Sequence, residues 1–146
     1  FDIQEIRLAE VFVAGFIGSP PTNFLEAELI EQGSALFARG ESFSLKLPPA
    51  LKESMDSLSS RSVTLGIRPS VIKPSSESPE DYARISLYVK LWEYLGAHTV
   101  IMAMCGTHEV MIESRSSARF ERGTEAQFAV APEDIMVFDK NTELRL

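Results

Sequence analysis

The sequence predicts an all-β barrel or sandwich of about eight short strands with a short helix at the N-terminus. Three observations carry this expectation. Apolar and polar residues alternate with a period of two over several segments, which gives a strand one buried and one wet face. Glycine, proline and serine clusters break those segments at roughly eight- to twelve-residue intervals. The longest patterned stretch, Arg84–Met104 (RISLYVKLWEYLGAHTVIMAM), holds two such strands around a polar break, and the rest of the chain is organised about it.

In chain order, Ile6, Ala9, Val13, Phe16 and Ile17 recur at three- and four-residue steps, so an amphipathic helix is expected up to Gly18. Gly18-Ser19-Pro20-Pro21 stops it, because proline lacks a donor and biases its predecessor away from helix. A helix this apolar needs a cover, and we read it as the stump of a preceding domain. Leu25, Ala27 and Leu29 then alternate with Glu26 and Glu28, and Gly33 and Gly40 bracket Ser34–Arg39. Phe43, Leu45 and Leu47 alternate with serines and Lys46, ending at Pro48-Pro49. Ala50–Leu58 fits two turns of helix, with Leu51, Met55 and Leu58 on one face. Val63, Leu65 and Ile67 make the next strand, closed by Arg68-Pro69.

Lys73–Asp81 has no periodicity and two prolines, which predicts an exposed loop. In the next strand Ile85, Leu87, Val89 and Leu91 face inward, and Arg84, Ser86, Tyr88 and Lys90 outward. The break Glu93–His98 contains Gly96, which can supply a positive φ, and Thr99–Met104 follows as the second strand. Gly106–Glu109 reads as a hairpin turn into Val110–Arg115. Phe120–Gly123 is turn-like, Ala126, Phe128 and Val130 form a strand, and Ile135–Phe138 is the last.

With 146 residues the chain makes one domain, or one domain with a short appendage. A formal charge of −7 makes nucleic acid and anionic membranes poor partners. Cys105 is the only cysteine, so no disulfide forms within the chain and a reducing compartment fits. No run approaches the ~20 apolar residues of a membrane-spanning helix and no signal peptide opens the chain, so a cytoplasmic protein is expected.

Catalytic patterns are missing: the sequence has no phosphate-binding glycine loop, no G-x-S-x-G elbow and no H-E-x-x-H pair. His98 and His108 fall in expected turns without ligand-spaced companions, so solvated histidines are expected rather than a zinc site. Cys105 lies among Met102, Met104 and Val110, the surroundings of a small buried apolar residue and not of a nucleophile. Arg115, Arg119 and Arg122 form one basic cluster, but Glu113, Glu121 and Glu125 interleave with it, which reads as a solvated mixed face. Trp92 beside Glu93 and Tyr94 reads first as the cap of a barrel end and second as an interface anchor.

Four segments, in order, resemble one family. Phe12–Pro20 (FVAGFIGSP) with Asn23-Phe24-Leu25 resembles the join between the ATPase and C-terminal domains of sugar-importer ABC ATPases, the maltose and glycerol-3-phosphate importer family. Thr64–Pro69 (TLGIRP) resembles a later strand end of that family, with Ser70 where glutamate is usual. Val89–Thr99 resembles the opening of its TOBE segment, and Phe120–Asp139 its close. Arg7–Glu10 (RLAE) departs from the pattern.

The resemblance implies an OB-type, molybdate-barrel-like fold over residues 21–146, with residues 1–20 as a linker helix ending an ATPase domain. It implies a non-catalytic regulatory and dimerisation domain, with ATP and magnesium needed only by the full-length protein. Implied partners are a second barrel, the ATPase domain, the permease subunits at the inner membrane and a cytoplasmic regulatory protein. Candidate interface or structural residues are Phe16, Phe24, Arg68, Pro69, Trp92, Glu93, Tyr94 and Gly96. Two other classes compete. Related barrels hold oxyanions, and a small-ligand (oxyanion or sugar) site is the alternative; nucleic-acid binding has only the outward Tyr88 and Lys90 in its favour.

Overall fold

A computed structural model describes residues 21–58 and 60–146; the expected linker helix, with Phe16, lies outside these described residues. Ten strands among the described residues form two five-stranded sheets, paired antiparallel throughout.

In the first sheet, β1 (Asn23–Gln32) buries Leu25 and Leu29 and exposes Glu26 and Glu28, as the alternation requires. A two-residue turn at Gly33-Ser34 leads into β2 (Ala35–Arg39). Gly33 sits at φ +62°, a left-handed backbone that glycine adopts without a Cβ penalty at the first position of a tight hairpin. β3 (Ser44–Leu47) pairs with β2, so Leu36, Ala38, Leu45 and Leu47 are fully buried together. Next come a 3-10 turn, Pro49–Leu51, and α1 (Lys52–Met55), a single turn in place of the expected Ala50–Leu58. The Ser57 hydroxyl donates to the Ser54 carbonyl at 2.7 Å, a local bond that competes with helix continuation.

β4 (Ser62–Ile67) lies between β1 and β10 (Met136–Asp139), giving the order β10-β4-β1-β2-β3. Both faces of β4 are covered. Val63, Leu65 and Ile67 face the core, while Phe24, Met136 and Phe138 cover Gly66 from outside. Phe24 meets Phe138 edge to face at 6.3 Å.

The second sheet has the order β5-β9-β6-β7-β8, from β5 (Lys73–Pro74), β6 (Ala83–Tyr94), β7 (Thr99–Cys105), β8 (His108–Ser114) and β9 (Thr124–Val130). Lys73–Asp81 is therefore more than the exposed loop expected. It begins with β5, paired to β9, buries Pro74 and continues as a 3-10 turn, Ser75–Glu77. Arg84 holds the end of this segment through its guanidinium, donating to the carbonyls of Ser78, Pro79 and Tyr82 at 2.8–3.2 Å. Proline breaks periodicity without preventing edge pairing, and that hid the strand.

The sheets curl around one core, β3 against β6 and β1 against β8. Leu45, Leu65, Leu87, Val89, Ile101, Ile112, Phe128 and Val137 fill it. This is an OB-type barrel, the expected all-β class. Asn23, only 5% exposed, joins the sheets where no strand ladder does. Its amide nitrogen donates to Ile67 O (3.1 Å) and Met111 O (2.8 Å), and its oxygen accepts the Met111 N–H (2.8 Å). The side chain thus serves the edge of β8 as a neighbouring backbone would.

Candidate functional site: a cleft beside the β6–β7 hairpin

The site begins with a fault in the alternation of β6. Val89 pairs with Ala103 and Leu91 with Met102, leaving Lys90 as an unpaired bulge residue. Beyond the bulge the two faces exchange. Leu91, expected to be buried, is 42% exposed, and Trp92 turns inward to pack partly buried against the core. The strand also continues through the expected break to Tyr94, so the turn is confined to Leu95–His98, with Gly96 at φ +88°.

The opposite wall is the connection between β8 and β9. Its sequence, Ser114-Arg-Ser-Ser-Ala-Arg119, folds as two successive serine turns. The Ser114 hydroxyl accepts the Ser116 N–H at 3.2 Å, and the Ser116 hydroxyl accepts the Ala118 N–H at 2.9 Å. Phe120 anchors the far end by stacking on buried Phe128, ring centres 4.9 Å apart. Between these walls lies a cleft of about 520 Å3, lined by Trp92, Tyr94, His98, Thr99, Ser114–Ser117, Arg119 and Phe120.

Its electrostatics are unlike those of the rest of the chain. Arg115 and Arg119 line it, are exposed, and make no ion pair among the described residues. No carboxylate of the described residues lines it. Glu113 and Glu77 are not lining residues but contact residues that are. Glu113 Oε1 is 3.9 Å from His98 Nε2, and Glu77 accepts the Ser116 hydroxyl. The mixed, solvated face expected for the arginine cluster is thus divided: Glu125 accepts from Ser86 (2.8 Å), and Arg122 donates to the Trp92 carbonyl (3.4 Å). His98 is partly buried beside Glu113, so only His108 is a fully solvated histidine.

The other sequence candidates lie elsewhere. Phe24 belongs to the outer cover of β4. Pro69 is buried at the start of a 3-10 turn, Pro69–Val71, that packs on β8. Arg68 precedes it, exposed, and its guanidinium makes no hydrogen bond or ion pair among the described residues. Glu93 is exposed on the hairpin, whereas Trp92 and Tyr94 meet in the cleft. Sequence reasoning missed Ser114, Ser116 and Asn23; only the serine run beside arginine hinted at the first two. Cys105 is 4% exposed with Sγ 3.4 Å from the Ser42 hydroxyl. Burial pushes its thiol above the ordinary value of 9.0, outweighing the hydrogen bond from Ser42. The thiol therefore stays protonated and unreactive at neutral pH.

Residues 18–72 match the family described as the MalK OB fold domain, and residues 65–138, just over half of the chain, match the TOBE domain. The chain belongs to the TOBE-domain family. This TOBE-family chain is 33% identical over 140 residues to the sn-glycerol-3-phosphate import ATP-binding protein UgpC of Chromobacterium violaceum, covering 96% of the chain and 36% of that protein. It is 35% identical over 139 residues to the trehalose/maltose import ATP-binding protein MalK of Thermococcus litoralis, covering 92% and 37%. It therefore spans a little over a third of the length of these curated relatives. The matched families are the OB and TOBE parts of such ABC proteins and not the catalytic module. The cytoplasmic molybdate-binding protein ModG, in a form with molybdate bound, shares the fold, with a TM-score of 0.58 at 12% identity over 79% of this chain and 94% of that one.

Proposed function

We propose that the chain is the non-catalytic C-terminal regulatory and dimerisation domain of the ATP-binding subunit of an ABC importer for sugars or related solutes. The observation that carries this reading is the outer face of β6, β7 and β8. Strand register puts Tyr88, Leu91, Val100, Met102, Met104 and Met111 on that one side. Tyr88 and Leu91 are each 42% exposed and the other four partly so, with Glu93, Glu109 and Glu113 around them. An apolar, methionine-rich centre with a polar margin is the composition of an association surface. A two-fold contact would set the same patch of each copy against its twin. In the transporter the domain would work in the cytoplasm, beside the permease subunits at the inner membrane, and offer a surface to cytoplasmic regulatory proteins.

Light scattering coupled to gel filtration, at several loading concentrations, tests the reading. The mass should climb from monomer toward dimer. Leu91→Asp with Met102→Lys, opposite charges on cross-strand neighbours, should hold it at the monomer value with a cooperative unfolding transition kept. A strictly monomeric wild-type chain would remove the dimerisation role.

A further inference from the structure

The cleft between the β6–β7 hairpin and the β8–β9 connection has a chemistry that dimerisation does not use. We infer that it binds a small phosphorylated sugar or polyol, with Arg115 and Arg119 taking the phosphate and Trp92 and Tyr94 taking the ring. The inference stands apart from the dimer reading, because the cleft and the apolar sheet face use different residues of β6.

The charge pattern is the first ground. In a chain of net charge −7, two arginines line one concavity without a carboxylate partner among the described residues. Guanidinium groups fork onto phosphate oxygens through paired N–H donors, a stronger bond than either makes with water-separated charge. The aromatic wall is the second. The C–H face of a sugar ring carries slight positive charge and lies well on the negative face of an indole or phenol. Tyr94 is 66% exposed and Trp92 partly so, leaving aromatic surface available in the cleft. Hydroxyls of Thr99 and Ser117 add groups that can donate to and accept from a polyol. Size is the third. About 520 Å3 falls within the usual range for small-molecule sites, with room for a monosaccharide phosphate.

Trp92 is the only tryptophan, so its emission reports on this cleft alone. Titration of the 146-residue chain with glucose 6-phosphate should give a saturable change in emission at millimolar concentrations. Calorimetric titration supplies a readout independent of the indole. Inorganic phosphate should bind at least about tenfold more weakly, having lost the ring contacts, and glucose should give no saturation. Arg115→Ala combined with Arg119→Ala should weaken the sugar phosphate at least about tenfold without moving the melting temperature. No saturable binding of glucose 6-phosphate by either readout would overturn the inference. So would an unchanged affinity in the double variant, equal binding of glucose, or phosphate binding as tight as that of the sugar phosphate. Light scattering on the same samples reads dimerisation separately, so failure here leaves that reading intact.

Discussion

Asn23 shows how one side chain can do the work of a strand pairing. Its amide meets three backbone groups, the carbonyl of Ile67 and both the N–H and carbonyl of Met111, at a position 5% exposed. A buried backbone group deprived of its partner costs roughly 1–3 kcal/mol. Asn23→Ala leaves three such groups unmatched, partly relieved by entering water, and should lower stability by about 3 kcal/mol. The midpoint of urea unfolding measures this. Asn23→Asp is the sharper comparison: it keeps the acceptor for Met111 N–H but sets a second oxygen against two carbonyls. It should be at least as destabilised as the alanine variant, and wild-type stability in Asn23→Asp would refute the clasp.

At the scale of elements, the bulge at Lys90 decides which side chains of β6 meet the cleft and which meet solvent. Before it, Ile85, Leu87 and Val89 point into the core; after it, Trp92 does, and Leu91 joins Met102 on the outer sheet face. A single inserted residue thereby separates the two surfaces assigned to association and to ligand binding. Deleting Lys90 should close the ladder with every face kept, because Val89 and Leu91 already pair with the consecutive residues Ala103 and Met102. The expected outcome is tryptophan emission at the wild-type wavelength and a stability within about 1 kcal/mol of the wild type in urea unfolding. A red-shifted emission would mean that the register with β7 slips on deletion, and that Lys90 is not the residue the ladder leaves over. The serine turns of Ser114–Ala118 act at the same scale, since their local bonds, with the Ser116–Glu77 contact, hold the two arginines on one wall.

For the whole molecule, the matched families bring the OB and TOBE portions of importer ATP-binding proteins and no phosphate-binding glycine loop occurs in the chain. A ligand that binds the native state raises its stability with the logarithm of one plus the ratio of ligand concentration to Kd. Mg-ATP should therefore leave the melting temperature of the 146-residue chain unchanged, and no phosphate should be released. A concentration-dependent rise in melting temperature with Mg-ATP would show a nucleotide site that neither sequence nor fold accounts for. Among the described residues no helix is long and apolar enough to cross a membrane.

Local pattern determined much of this protein before any contact was known. Period-two alternation placed β1, β3, β4, β6 and β9, because a pleated backbone sends successive side chains to opposite faces whatever lies beyond. Gly33, Gly96 and Gly106 marked turns that hold φ at +62°, +88° and +60°, where a Cβ is penalised. Ordered motifs from Phe12 to Asp139 marked the family. Tertiary structure alone decided the rest. Leu91 and Trp92 exchanged faces because an unpaired residue in the ladder with β7 reset the phase, and a ladder is a relation between two strands. Lys73-Pro74 became β5 because β9 offered an edge, and Asn23 became a clasp because Met111, far along the chain, came within 2.8 Å. Arg115 and Arg119 are interleaved with glutamates in sequence, yet the turns of their loop and the partners of those glutamates leave them together and unpaired beside Trp92. Which charges meet is a property of the folded surface, and spacing along the chain does not encode it.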